Sequence, residues 1–319
     1  MAENETLNIE NLPVIRTLAK WSKKVKIPGT NGLSLYHLLD IYGSGIIKGT
    51  FSSRASSIAY SFFVAIFPFL LFILNLIPYL DFIDGFLTQF LIFIEKLLPP
   101  QTADLFYPVI ADIAVNPRGG LLSFSIILAM FLSANGVNAI FSAFEYSVHV
   151  TINRTFFRQY AVAFGVAILL ALLMLTTVGA ILYGEYLINQ LVGKAYINDR
   201  VGLISTLQLV LLFVMVYTIV SILYYFGTKQ GKESRFFSFG ALMTTILFMV
   251  TTYLFGIYIN NFSNYNELYG SLGALLIMLF YIWINSNLLL LGFELNLSLQ
   301  LLRDRNKEDG NGNDSKNKK

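Results

Sequence analysis

A chain with no cysteine, whose only two histidines, His37 and His149, lie more than a hundred residues apart, has few places to hold chemistry. Disulfides, thiolate sites and cysteine nucleophiles are excluded, and no histidine pair stands at metal-ligand spacing. No phosphate-cradling Gly-rich loop or nucleophile elbow occurs either. What remains is a set of polar side chains inside long apolar stretches. Asn135, Asn138, Ser142 and Glu145 recur at spacings of three and four, which puts them on one helical face. Asn287, Glu294 and Ser298 share another. Polar groups at membrane depth are costly and mark binding paths and relays. The chemistry expected is recognition and passage of a solute, without metal, cofactor or catalysis.

Arg54 opens the first apolar stretch and Glu294 lies near the end of the last, so the two are level if both ends face the same side of a membrane. Two readings follow. In one, Arg54 and Glu294 form an ion pair that closes the bundle, because a half-buried charge needs a partner. In the other, Arg54, Asn135, Asn138, Glu145, Asn287 and Glu294 surround a polar cavity open to the cytoplasm. The first stretch also carries Pro68, Asn75 and Pro78. A proline inside a helix frees a carbonyl and bends the axis, and a broken helix can line a substrate path. Pro68 and Asn75 therefore join the candidates.

These side chains need elements to hold them. Only 13% of the 319 residues are charged and 55% are hydrophobic, against roughly a quarter charged in a soluble domain. Six uncharged runs, 55–80, 119–144, 159–184, 201–228, 236–266 and 268–293, each exceed the roughly 20 residues that a helix needs to cross a bilayer. They are continuously apolar, without the alternation of a barrel strand. The expected fold is all-α: a polytopic membrane domain over 55–302 with spans near 57–80, 120–144, 159–183, 202–227, 237–260 and 269–293. With both termini in the cytoplasm, the inner segments hold 18 of the 22 lysines and arginines, the bias that sets orientation. The net charge of +3 is too small, and its basic residues too dispersed, for a nucleic-acid track.

Outside the spans, residues 1–54 form a cytoplasmic region with apolar residues at helical spacing over 33–47, suited to a helix on the inner leaflet. The outer loop 81–118 holds two short amphipathic pieces separated by Pro99 and Pro100, expected to fold as a helical hairpin. The tail 303–319 has almost nothing to bury and is expected to be disordered. Small residues at every fourth position, Ser57, Ser61 and Ala65 in one span and Ala163, Ala167 and Ala171 in another, suit close helix approach. The many Phe and Tyr read as lipid-facing bulk and interfacial belts.

Three segments carry a family resemblance: RASSIAYSFFVAIFPFLLF from Arg54, SANGVNAIFSAFEYSVHVTINRTFFRQY from Ser133, and YGSLGALLIMLFYIWINSNLLLLGFELN from Tyr269. Together they resemble the YihY/BrkB family of bacterial membrane proteins. Arg54, Ala59, Tyr60 and Pro68 match the first motif, and Tyr269, Gly270, Ser271, Gly273, Gly292, Glu294 and Asn296 match the last. The central motif departs where Glu145 replaces the usual Asn and Ile152 replaces a usual acid. The resemblance implies six helices, an inner-membrane location, and a family name linked historically to virulence and to ribonuclease BN. It also favours transport of lipid or envelope precursors over catalysis. The expected partners are membrane lipids and an amphipathic or anionic solute, with no nucleic acid and no oligomeric state specified. A non-catalytic scaffold for envelope machinery is the rival reading.

Overall fold

The computed structural model describes residues 50–76, 92, 119–147, 150, 154–192, 200–229, 231, 235–261 and 271–316. The interfacial helix expected over 33–47 and the outer hairpin expected over 81–118 lie outside those residues, apart from Ile92. The described chain is helical in six segments: α1 Thr50–Leu76, α2 Gly119–Glu145, α3 Phe156–Val192, α4 Arg200–Gly227, α5 Phe239–Asn261 and α6 Ser271–Lys316. Five contain stretches long and apolar enough to cross a membrane: Ile126–Glu145, Phe156–Gln190, Val201–Gly227, Phe239–Tyr258 and Leu275–Gln300. Continuous apolar character on all sides suits helices that face lipid and one another, since a helix satisfies its own backbone in either setting.

The elements differ from the expected spans at their ends, for physical reasons. Charges bound the expected spans, yet α1 begins before Arg54 and α3 continues past Glu185. Both charges are partnered: Arg54 by Glu294, and Glu185 by Gln208 of α4, whose Nε2 donates to Oε1 at 2.9 Å. A paired charge does not have to end a helix. At the other extreme α6 runs on to Lys316 through residues expected to be disordered. Composition reports what a segment can bury, whereas helical hydrogen bonds can carry a helix beyond its last packed turn.

Ser238 caps α5, its Oγ accepting from the Ala241 amide at 3.2 Å, a use of serine that satisfies an otherwise unpaired N-terminal donor. Each helix packs against the next in chain order, and α6 returns against α1 to close the ring, while α2 also meets α4 and α6. Neighbours run antiparallel. Gly136 of α2 faces Ala65 of α1, eleven residues beyond Arg54, while Ala143, seven residues further along α2, lies at Arg54. Gly240 faces Gly292, and Thr252 reaches back to Tyr281. One end of the bundle therefore gathers the starts of α1, α3 and α5, the ends of α2 and α4, and α6 near Glu294.

The core at that end is aromatic. Phe141, Phe144, Tyr224 and Phe293 are each at most 1% exposed, which corrects the reading of the aromatic residues as lipid-facing bulk alone. Ala65 and Ala163 are buried at helix contacts, as the small-residue spacing suggests, but Ser57 is exposed.

Candidate functional site

Arg54 sits one turn into α1, where its guanidinium reaches across two other helices. Nη1 donates to the Ala143 carbonyl of α2 at 3.0 Å, and Nη2 lies 3.2 Å from Glu294 Oε1 on α6. Its carbon also stands 5.0 Å over the Phe51 ring, a favourable place for a cation. Glu294 is only 5% exposed. Its second oxygen accepts from Ser147 Oγ at 2.7 Å. An isolated carboxylate at such a place would bear a large desolvation cost, and the arginine and hydroxyl together supply the partners it needs. The ion-pair reading of Arg54 and Glu294 is therefore present in the geometry.

Glu145, at the end of α2, belongs to a second cluster. Its Oε1 accepts from the Arg154 amide at 3.1 Å. Gln159, on the first turns of α3, satisfies its surroundings with the amide nitrogen 2.9 Å from Glu145 Oε2 and the amide oxygen accepting from Ser142 Oγ at 2.9 Å. That orientation is assigned from the bonding pattern, since a carboxylate requires a donor. Asn138 approaches the same carboxamide at 3.2 Å. The Arg154 side chain reaches the end of α4, where Nη1 donates to the Phe226 carbonyl at 2.6 Å. A cation at a helix C-terminus meets unpaired carbonyls and the negative end of the dipole. Burial pulls the Arg154 pKa below its ordinary value, with Glu145 opposing that shift and Arg158 adding to it.

Toward the interior the polar layer gives way to rings. Phe144 and Phe293 stack with centroids 3.9 Å apart, and Tyr224 meets both edge-on at 5.7 Å. The Tyr224 hydroxyl donates to the Leu289 carbonyl at 2.7 Å and lies 2.8 Å from Thr244 Oγ1. This joins α4, α5 and α6 at one point. Gly292 makes the junction possible, because a Cβ there would collide with Thr244 Oγ1 and crowd Tyr224 Oη. Gly240, opposite, would place its Cβ against the Gly292 carbonyl.

The candidate residues thus divide. Arg54 and Glu294 meet in one cluster, and Glu145 and Asn138 meet through Gln159 in another. Asn135 has no bond to either cluster and is exposed on α2. Asn287 donates to the Trp283 carbonyl of its own helix at 2.8 Å. The backbone stays helical through Pro68 and Asn75 to Leu76, and their side chains lie outside those described. Ser147, Arg154 and Gln159 stand in the quoted central segment without being among the candidates, and Tyr224 and Thr244 stand in none. Gly292 and Glu294 stood in the quoted motif, whereas nothing in periodicity distinguishes Tyr224 from the other tyrosines.

An all-helical bundle with several apolar helices of spanning length defines a multi-pass membrane protein. Within that class, the chain belongs to the family described as Virulence factor BrkB, whose model matches residues 45–318. It is similar to a protein of Bacillus subtilis (strain 168), YfkH, whose name calls it ribonuclease-like: 29% identical over 77% of this chain and 89% of the relative. A UPF0761 membrane protein of Coxiella burnetii is 24% identical over 75% of this chain and 84% of its own length. Another, of Aggregatibacter aphrophilus, is 24% identical over 79% and 88%. No solved structure matches the chain.

Proposed function

We propose that this protein is a transporter of the bacterial cytoplasmic membrane, moving an amphipathic or anionic envelope solute, lipids included, between its helices. In this reading α1 is the sixth crossing, and both termini and the Arg54 end face the cytoplasm. The observation that carries it is the closure at that end, where the Arg54–Glu294–Ser147 latch lies beside the Phe144, Phe293 and Tyr224 layer. A buried ion pair adds little net stability over well-packed apolar residues of the same volume. It does make a contact with two definite states, engaged and separated, which suits a gate that must open and reclose. The protein is read as non-enzymatic. A ribonuclease calls for metal ligands or a basic track, and the basic residues of this sequence are dispersed over several segments.

A scaffold for envelope machinery is the second reading, favoured by the way Arg54, Glu145, Arg154 and Glu294 all find partners within the chain. Reconstituted vesicles separate the two. The full chain should move a fluorescent anionic phospholipid across the bilayer, or release an entrapped anionic dye, faster than protein-free vesicles. The charge-neutral double variant Arg54→Gln, Glu294→Gln should raise that rate severalfold by unlocking the gate. Folded protein that moves neither probe, with or without the substitutions, would leave the scaffold.

A further inference from the structure

The exposed face of α2 carries a feature that the gate does not use. Asn135 is exposed there, about ten residues before Glu145, or roughly 15 Å along the axis. That is about half of a hydrocarbon core roughly 30 Å thick. A carboxamide facing lipid at mid-depth has lost water without gaining a partner. Its neighbours on the same face are Leu128, one heptad earlier, and Phe131, one turn earlier, both exposed. Tyr160 of α3 buttresses that face, with its ring 5.7 Å from Phe131 and its hydroxyl donating to the Phe131 carbonyl at 3.1 Å.

Spacings of three and four from Leu128 through Phe131 to Asn135 form the seam along which two helices pack left-handed. Complementarity identifies what the seam accepts. The partner must offer a donor and an acceptor at mid-bilayer depth, and must present no charge to a face that itself has none between Leu128 and Asn135. Lipid polar groups lie in the headgroup region, and acyl chains at this depth offer neither. A second copy related by a twofold axis in the bilayer normal brings its own Asn135 to the same depth. A carboxamide is both donor and acceptor, so two of them pair.

We propose that two copies of this chain associate through the exposed face of α2, with the Asn135 side chains hydrogen-bonded across the axis. This does not depend on the transport reading. The absence of cysteine from the chain makes the test direct. Leu128→Cys, on the same seam, should form a disulfide-linked dimer when membranes holding the full chain are oxidised. Val250→Cys, exposed on α5, should stay monomeric. Adding Asn135→Leu to Leu128→Cys should lower the association measured by lipid dilution about 3- to 20-fold, as expected for one interhelical hydrogen-bonded pair. Asn135→Gln should keep it. Equal cross-linking at 128 and 250, or association unchanged by Asn135→Leu, would overturn the proposal. So would a monomer at every lipid ratio, as expected if water alone satisfies Asn135.

Discussion

At Glu294 one side chain concentrates the cost of closing the bundle. The Arg54 and Glu294 side chains are 12% and 7% exposed, so removing one leaves the other with little water to replace it. Arg54→Ala should destabilise the protein by about 3 kcal/mol, in the range seen when one member of a buried pair is deleted. Thermal unfolding in detergent checks this. Glu294→Gln added to Arg54→Ala should restore a substantial part of the loss, because a neutral carboxamide is cheaper to leave there than an unpaired carboxylate. An unchanged midpoint for the single variant would mean that the pair is water-screened. The same residues show what sequence can reveal. Their placement at opposite ends of the apolar region was enough to predict that they are level. Spacing could not tell that Ser147 completes the site, because its position depends on the turn after α2. Asn135, Asn138 and Glu145 were correctly put on one stripe. A stripe with steps of three and four spans a wide arc, however, and α3 covers only one edge of it, which leaves Asn135 exposed.

At the scale of elements, the crossing of α5 and α6 is set by what is missing from Gly240 and Gly292. The backbones approach so closely that Tyr224 bonds through Thr244 to one helix and through the Leu289 carbonyl to the other. Gly292→Ala should push them apart and cost about 1–3 kcal/mol, the usual penalty of overpacking. Thr244→Ala in the same chain should recover part of this by removing the hydroxyl that the new methyl meets. Denaturant titration of the single and double variants measures both effects, and equal losses in the two would place the clash elsewhere. Helix positions were legible because long uncharged runs have no other stable form in lipid. The crossing was not, since a glycine in an apolar run reads the same whether it faces a carbonyl or a lipid tail.

For the molecule as a whole, the ring order makes each helix the neighbour of the next and brings α6 back to α1. Arg54, Arg154, Arg158, Lys229 and Arg235 all fall at or near the latch end, the distribution expected of a cytoplasmic face. Lys229→Cys, in the exposed turn after α4, should resist a membrane-impermeant thiol reagent in intact cells and react after the membrane is opened. Labelling in intact cells would invert the orientation on which the transport reading is built. The absence of other cysteines again means that any signal comes from one position.

The contact between Arg54 and Glu294 joins residues 240 positions apart, and this bears on how the protein is made. At about 5–20 residues per second, a ribosome needs roughly 10–50 s after Arg54 to synthesise Glu294. During that time Arg54 can reach the Ala143 carbonyl once α2 has been made, but it lacks its carboxylate. A nascent chain cannot lock the end of its bundle until its last span has entered the bilayer. The salt bridge therefore forms only on a chain made through Glu294, and a product that stops short of it leaves Arg54 without its carboxylate.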